Sequence, residues 1–342
     1  MPGETPINLS SVELTIGHSP DADDAFMWWP LGTAGIEAPA HLGTLPSLPP
    51  AIDTGRFRFS PVAADIEALN RRAIERADFD ITAMSFATYA HVSDTYILTS
   101  CGASFGEGYG PKVLIRPDAA HPAPADAAHR LAHLAELLRN GGRIAIPGTR
   151  TTAYLVLQLM LRATGLTEIP EGAVIAVPFD RVIPELLAGD VAAALVIHEA
   201  QVTYAAAGLE LLVDLGAWWS AQTGGLPLPL GANAIRRDLD DRFGVGTVKN
   251  IARILRTSIH HALQHRGPGL AYAAHFAGAL EEAKPSGPVG APSKADMDRF
   301  VELYVNELSV DCGERGRRAI ESLLEAGRSA GLVPVGPDLD VI

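Results

Sequence analysis

The residues best suited to chemistry are His198 and Glu199, which end the apolar run Val191-Ala192-Ala193-Ala194-Leu195-Val196-Ile197. An imidazole gains and loses a proton near neutral pH, so a histidine at the tip of a buried segment is a candidate general base. The plainer reading is that His198 only closes a strand edge. A second constellation is Gly148-Thr149-Arg150-Thr151-Thr152-Ala153-Tyr154, set between Gly142–Pro147 and the apolar run Leu155–Leu161. Hydroxyls, backbone N–H groups and a guanidinium at a helix start make an anion site, whereas threonines that merely cap the helix would need no Arg150. A third is Ser19-Pro20-Asp21-Ala22-Asp23-Asp24. Its carboxylates suit helix capping, or the binding of ligand hydroxyls. His261 and His265 share a helix face, but no glutamate follows His261, so they read as a solvent-facing pair and no metal site is expected. The glycine-rich stretch Gly102–Pro111 lacks the Lys-Ser/Thr of a phosphate loop and reads as a hinge or close-approach segment.

Positioning these groups requires strand–helix units. Val12–His18 and Arg56–Val62 alternate as strands, and Asp65–Asn70 opens a helix with Ile66, Leu69 and Ala73 at helical spacing. Phe79–Met84 is a further strand, ending at Ser85 ahead of a helix over Phe86–Val92. Gly32–Gly55 has no periodicity and is read as a surface loop. Strands follow at Lys112–Arg116, Gly142–Pro147, Val174–Phe179, Val191–Ile197, Leu211–Leu215 and Ala232–Arg237. Asp180 is read as the cap of a helix over Arg181–Ala188. From Asp238 the pattern is helical, broken by Lys284–Pro292. This rhythm predicts an α/β protein of mostly parallel sheets flanked by helices. In such sheets the residues just past the strand carboxyl ends line the ligand crevice, which is where His198 falls.

A chain of 342 residues with 47% hydrophobic and 20% charged residues fits a two-lobed globular protein. The formal net charge of −13 excludes a basic nucleic-acid footprint, and no apolar run reaches the roughly 20 residues of a membrane span. Met1–Glu13 shows neither the basic start nor the apolar centre of a signal peptide. Cys101 and Cys312, the two cysteines, form no disulfide framework and are read as free thiols. A cytoplasmic location is expected, with a small-molecule partner and neither nucleic acid nor membrane. The oligomeric state stays open, a homodimer among the options.

Taken together, Ser19-Pro20 with Asp24 and Phe26, Leu69-Asn70, and Ser85 with Tyr89-Ala90 form a recognisable series with Pro147-Gly148, Thr151-Thr152-Ala153-Tyr154, Ile197-His198-Glu199, Val213–Trp219 and Leu226–Gly231. In this the chain resembles the menaquinone-biosynthesis family of the futalosine pathway, in its 1,4-dihydroxy-6-naphthoate synthase branch, from about Leu14 to Arg237 and more loosely beyond. The resemblance implies a type II periplasmic-binding-protein-like fold: one lobe of residues 1–112 and 228–342, a second of 113–227, and a ligand cleft between them. It also implies cofactor-free conversion of cyclic de-hypoxanthine futalosine to 1,4-dihydroxy-6-naphthoate, a lyase reaction begun by proton abstraction at His198. Ser85, Asn70 and Thr152 fall on crevice positions of that family. The expected binding set is Ser19, Asp24, Asn70, Ser85, Arg150, Thr151, Thr152 and Glu199, facing a substrate that carries a carboxylate and hydroxyls. His198 is expected to titrate near its usual pKa, its tautomer fixed by Glu199 or a nearby carbonyl.

One departure stands out. The family commonly reads Ser-Pro-Cys-Pro-Asn-Asp where this chain has Ser19-Pro20-Asp21-Ala22-Asp23-Asp24, and the added carboxylates favour hydroxyls or a cation over an anion. Two alternatives stay open: a solute-binding protein for a small organic ligand, and a related enzyme such as chorismate dehydratase.

Overall fold

The structure, a computed structural model, describes residues 11–118, 124, 126–276, 293–336 and 339–342. The chain begins with β1 (Val12–His18), α1 (Ala22–Trp28), β2 (Phe57–Ala63), α2 (Ile66–Glu75), β3 (Ile81–Ser85), α3 (Phe86–Val92), β4 (Tyr96–Leu98) and β5 (Ser104–Gly106). It continues through β6 (Lys112–Ile115), α4 (Ala127–Arg139), β7 (Ile144–Ile146), α5 (Thr152–Ala163) and β8 (Val174–Ala176). Next come α6 (Val182–Ala188), β9 (Ala193–Val196), α7 (Ala200–Thr203), β10 (Glu210–Asp214), α8 (Leu215–Gln222) and β11 (Leu228–Arg236). Among the described residues six helices follow: α9 (Leu239–Phe243), α10 (Thr247–Gln264), α11 (Arg266–Ala273), α12 (Lys294–Tyr304), α13 (Glu307–Val310) and α14 (Gly313–Ser329).

Two sheets result. The first runs β2-β1-β3-β11-β4, with β5 also paired to β11; the second runs β10-β6-β9-β7-β8. β1, β2 and β3 are parallel, and β11 is antiparallel to β3, β4 and β5. In the second sheet β6 is antiparallel to β9 and β10, while β7 is parallel to β8 and β9. Each sheet is thus parallel except for one strand, and those strands, β6 and β11, are where the chain passes from one sheet to the other. The helical crossovers that parallel strands require cover the sheet faces. Accordingly β3 and β9 are buried throughout.

Local reading differs from the structure at a few places. Asp180 does not cap a helix: Phe179–Arg181 forms a 3₁₀ turn and α6 starts at Val182. β11 starts at Leu228, ahead of the Ala232 expected, because an irregularity between Pro229 and Gly231 absorbs the proline that lacks a ladder donor. The glycine-rich Gly102–Pro111 carries β5. The break at Lys284–Pro292 lies outside the described residues.

One apolar core runs through both lobes. Met84 of β3 and Phe86 of α3 pack in one cluster with Val113 of β6, Ile146 of β7 and Val156 of α5, and Ile320 and Leu323 of α14 complete it. The outer face of the first sheet is covered by α1, α10 and α12, and that of the second by a smaller cluster around Leu114 and Leu186. The cleft opens where β1, β3, β7 and β9 all end.

Candidate active site

Four strand–helix junctions supply the site. After β1, Asp21 caps α1, its side chain accepting from Asp24 N–H, while Asp24 Oδ2 accepts from Ser19 N–H at 2.7 Å. After β3, Ser85 precedes α3. Asn70 on α2 holds it twice, donating from Nδ2 to Ser85 Oγ at 3.0 Å and accepting at Oδ1 from Ser85 N–H at 2.9 Å. After β7, Thr151 caps α5 by accepting from Tyr154 N–H, and Thr152 donates to Leu230 O at 2.6 Å. After β9 comes His198, whose φ of 54° is left-handed, a region histidine enters more readily than bulky or branched residues.

These junctions surround a cleft with about 670 Å³ of empty space, part of it open to solvent. Ser19, Asp24, Ser85, Thr151, Thr152 and His198 line it. Asn70 does not; it is fully buried behind Ser85. Arg150 is exposed and contributes only backbone, its N–H donating to Glu67 Oε2 and its carbonyl accepting from Thr88. Its guanidinium is therefore not part of the anion site read from sequence. Glu199 is also off the cleft wall, its Oε1 accepting from Ala22 N–H at 3.0 Å.

The partner of His198 is Asp21. Imidazole Nδ1 lies 2.7 Å from Asp21 Oδ2, a contact that joins the two lobes. With Nδ1–H directed at a carboxylate, neutral His198 carries its lone pair on Nε2, which is buried and has no hydrogen-bond partner among the described residues, on a side chain that lines the cleft. Phe179 packs edge-on against the ring at 5.0 Å. Glu199 does not fix the tautomer; Asp21 does.

Electrostatics follow from burial and this pair. Burial pushes the His198 pKa down, but the Asp21 charge and hydrogen bond outweigh it and leave the imidazole at about 9. That corrects the expectation of an ordinary imidazole pKa. Burial also opposes the Asp21 anion, yet the His198 charge and hydrogen bond hold it below the usual carboxylate range. Burial and the neighbouring Asp21 and Asp24 charges keep Asp23 protonated far above that range. Asp24 is raised to about 8 by burial and Asp21. The three carboxyls at the start of α1 therefore divide: Asp21 is the anion that pairs with His198, while Asp23 and Asp24 favour their protonated forms. This resolves the choice between capping and ligand binding for Asp21, which caps with one oxygen and holds His198 with the other.

Sequence reasoning missed Asp21 as the histidine's partner, and it missed Ser104, Gln201, Asn233 and Tyr304, all on the cleft wall. Asn233 was visible as the one amide within the apolar Ala232–Ile235. The other three carried no local signal. His261 and His265 stack on each other at 4.0 Å, with Trp29 edge-on to His261, away from the cleft.

The family described as menaquinone biosynthesis matches residues 14–329. A Thermus thermophilus protein named 1,4-dihydroxy-6-naphtoate synthase is 34% identical over 324 residues, covering 95% of this chain and 97% of that one. Among solved structures, an Archaeoglobus fulgidus protein superposes with a TM-score of 0.71 at 33% identity, covering 94% of this chain and 98% of its own. The alkanesulfonate-binding protein of Xanthomonas axonopodis pv. citri gives a TM-score of 0.59 at 12% identity, covering 96% and 97%. That last likeness shows the periplasmic-binding-protein-like fold and nothing of the ligand.

Proposed function

Since the chain belongs to the menaquinone-biosynthesis family, we propose that it is the enzyme that forms 1,4-dihydroxy-6-naphthoate from cyclic de-hypoxanthine futalosine. The observation that carries this reading is His198 on the cleft wall, with Nδ1 on Asp21 and Nε2 without a hydrogen-bond partner among the described residues. A substrate carboxylate sits at the start of α5, where the first-turn N–H groups lack intrahelical acceptors and the helix dipole favours an anion. Ser85 and Thr151 flank it from the two lobes. Nε2 then takes a proton from the bound substrate, and the electron pair left behind expels the sugar-derived part. Asp21 fixes the tautomer and stabilises the imidazolium as it forms, the role a buried carboxylate plays beside other catalytic histidines. With the pKa at about 9, most of the resting enzyme holds the proton at pH 7. The neutral fraction is correspondingly a stronger base.

No step in this scheme draws on a cofactor. A reducing cytoplasm suits the two free thiols, both buried; among the described residues no helix is long and apolar enough to cross a membrane. Incubating the purified protein with cyclic de-hypoxanthine futalosine and analysing by mass spectrometry tests the reaction. Release of the naphthoate is the expected result, and its absence with folded protein would reject the assignment.

A further inference from the structure

The two ends of the cleft differ in hydrogen-bonding polarity. Its floor is a row across three strands, Ser85 opposite Gly231 and Gly231 opposite Ser104, with Asn233 opposite Ala83 in the next row. Gly231 and Ala83 leave the floor open. Toward β3 stand the donors of the α5 start. Toward β5 the cleft-lining side chains carry acceptors. Asn233, 1% exposed, donates from Nδ2 to Gly102 O at 2.9 Å, and its Oδ1 has no partner among the described residues. Asp23, 6% exposed, accepts at Oδ2 from Ser104 Oγ at 3.1 Å. Turning the amide over would set Oδ1 against the Gly102 carbonyl oxygen, and a Cβ on Gly102 would lie 2.8 Å from Asn233 Nδ2 and 2.9 Å from the Trp28 ring, so this close seating also requires glycine. A buried acceptor is normally satisfied, and what would satisfy Asn233 Oδ1 is a donor brought into the cleft.

We propose that Asn233, Asp23 and Ser104 form a hydroxyl-binding subsite at the β5 end of the cleft, so that the site selects ligands with an anion at one end and hydroxyl donors at the other. An acceptor wall with a neutral Asp23 suits neutral hydroxyls better than a cation and repels a second carboxylate. Resting on the reaction assigned above, the subsite holds the hydroxyls of the sugar-derived part as it departs, and so distinguishes substrate from product.

Calorimetric titration of the full chain with gluconate and with adipate tests this without reference to the reaction. Both have six carbons and a carboxylate, but gluconate continues in hydroxyls and adipate ends in a second carboxylate. Gluconate is expected to bind about tenfold more tightly, and Asn233→Ala should erase that preference by weakening gluconate alone. A wild-type preference below about twofold, or binding of neither compound, overturns the subsite, as does equal weakening of both by the variant. Gluconate preference without naphthoate formation would reject the reaction and keep the subsite; naphthoate formation without the preference would do the reverse.

Discussion

At the scale of the residue, His198 is the group whose loss should matter most for turnover. Its Nε2 has no hydrogen-bond partner among the described residues. Replacing it with alanine should lower kcat by about 10²- to 10⁴-fold, the usual contribution of a general base, with substrate affinity from calorimetry little changed. Turnover near the wild-type value would remove His198 from the mechanism. His198 and Thr151-Thr152 were legible in the sequence because strand ends and helix starts are local features. Asp21 was legible only as a cap. Its second oxygen meets a residue 177 positions away on the other lobe, and nothing in local sequence records that meeting. Arg150 misled for a related reason: its charge suggested an anion contact, but the turn is held through its backbone by Glu67 and Thr88.

At the scale of the element, the site is set by how α2 is fastened to β3 and to the turn before α5. Asn70 is the fastening, bonding both groups of Ser85 and reaching Arg150 O at 3.4 Å. Asn70→Ala strands the buried Ser85 N–H and should cost about 1–3 kcal/mol in urea unfolding, the penalty of an unpaired buried donor. It should also raise KM more than it lowers kcat, because Ser85 is loosened while His198 is untouched. An unfolding midpoint equal to that of wild type would contradict this. The order and type of the strands and helices were readable from periodicity, and their faults are instructive. β11 begins earlier than read because a strand irregularity makes room for Pro229, and α6 begins later because a 3₁₀ turn intervenes after Pro178. Both depend on neighbours that pattern alone does not reveal.

At the scale of the whole molecule, the ion pair between Asp21 and His198 ties the lobes together and makes stability depend on pH. The His198 pKa is raised from 6.5 to about 9 in the fold. Its contribution is therefore complete below about pH 6.5 and disappears as pH rises through about 9. Asp24, raised to about 8, acts in the same direction, since its folded form also prefers the proton. His18, buried with a lowered pKa, opposes them near neutrality. Thermal unfolding should accordingly show a lower Tm at pH 9 than at pH 7, with a smaller drop in Asp21→Asn; an equal drop in that variant would assign the effect elsewhere. The two-lobed plan itself was open to reading, since it follows from strand–helix alternation with two crossings, but the shared core under α14 was not. The claim on which the account turns is that a carboxylate from one lobe sets the basicity of a histidine from the other. The pH dependence of kcat/KM for cyclic de-hypoxanthine futalosine, in wild type and Asp21→Asn, tests it most directly. The account predicts that activity rises with pH toward a limb near 9 in wild type, and that the limb moves to at or below about 6.5 in the variant as burial acts unopposed. A limb at the same pH in both proteins would contradict it.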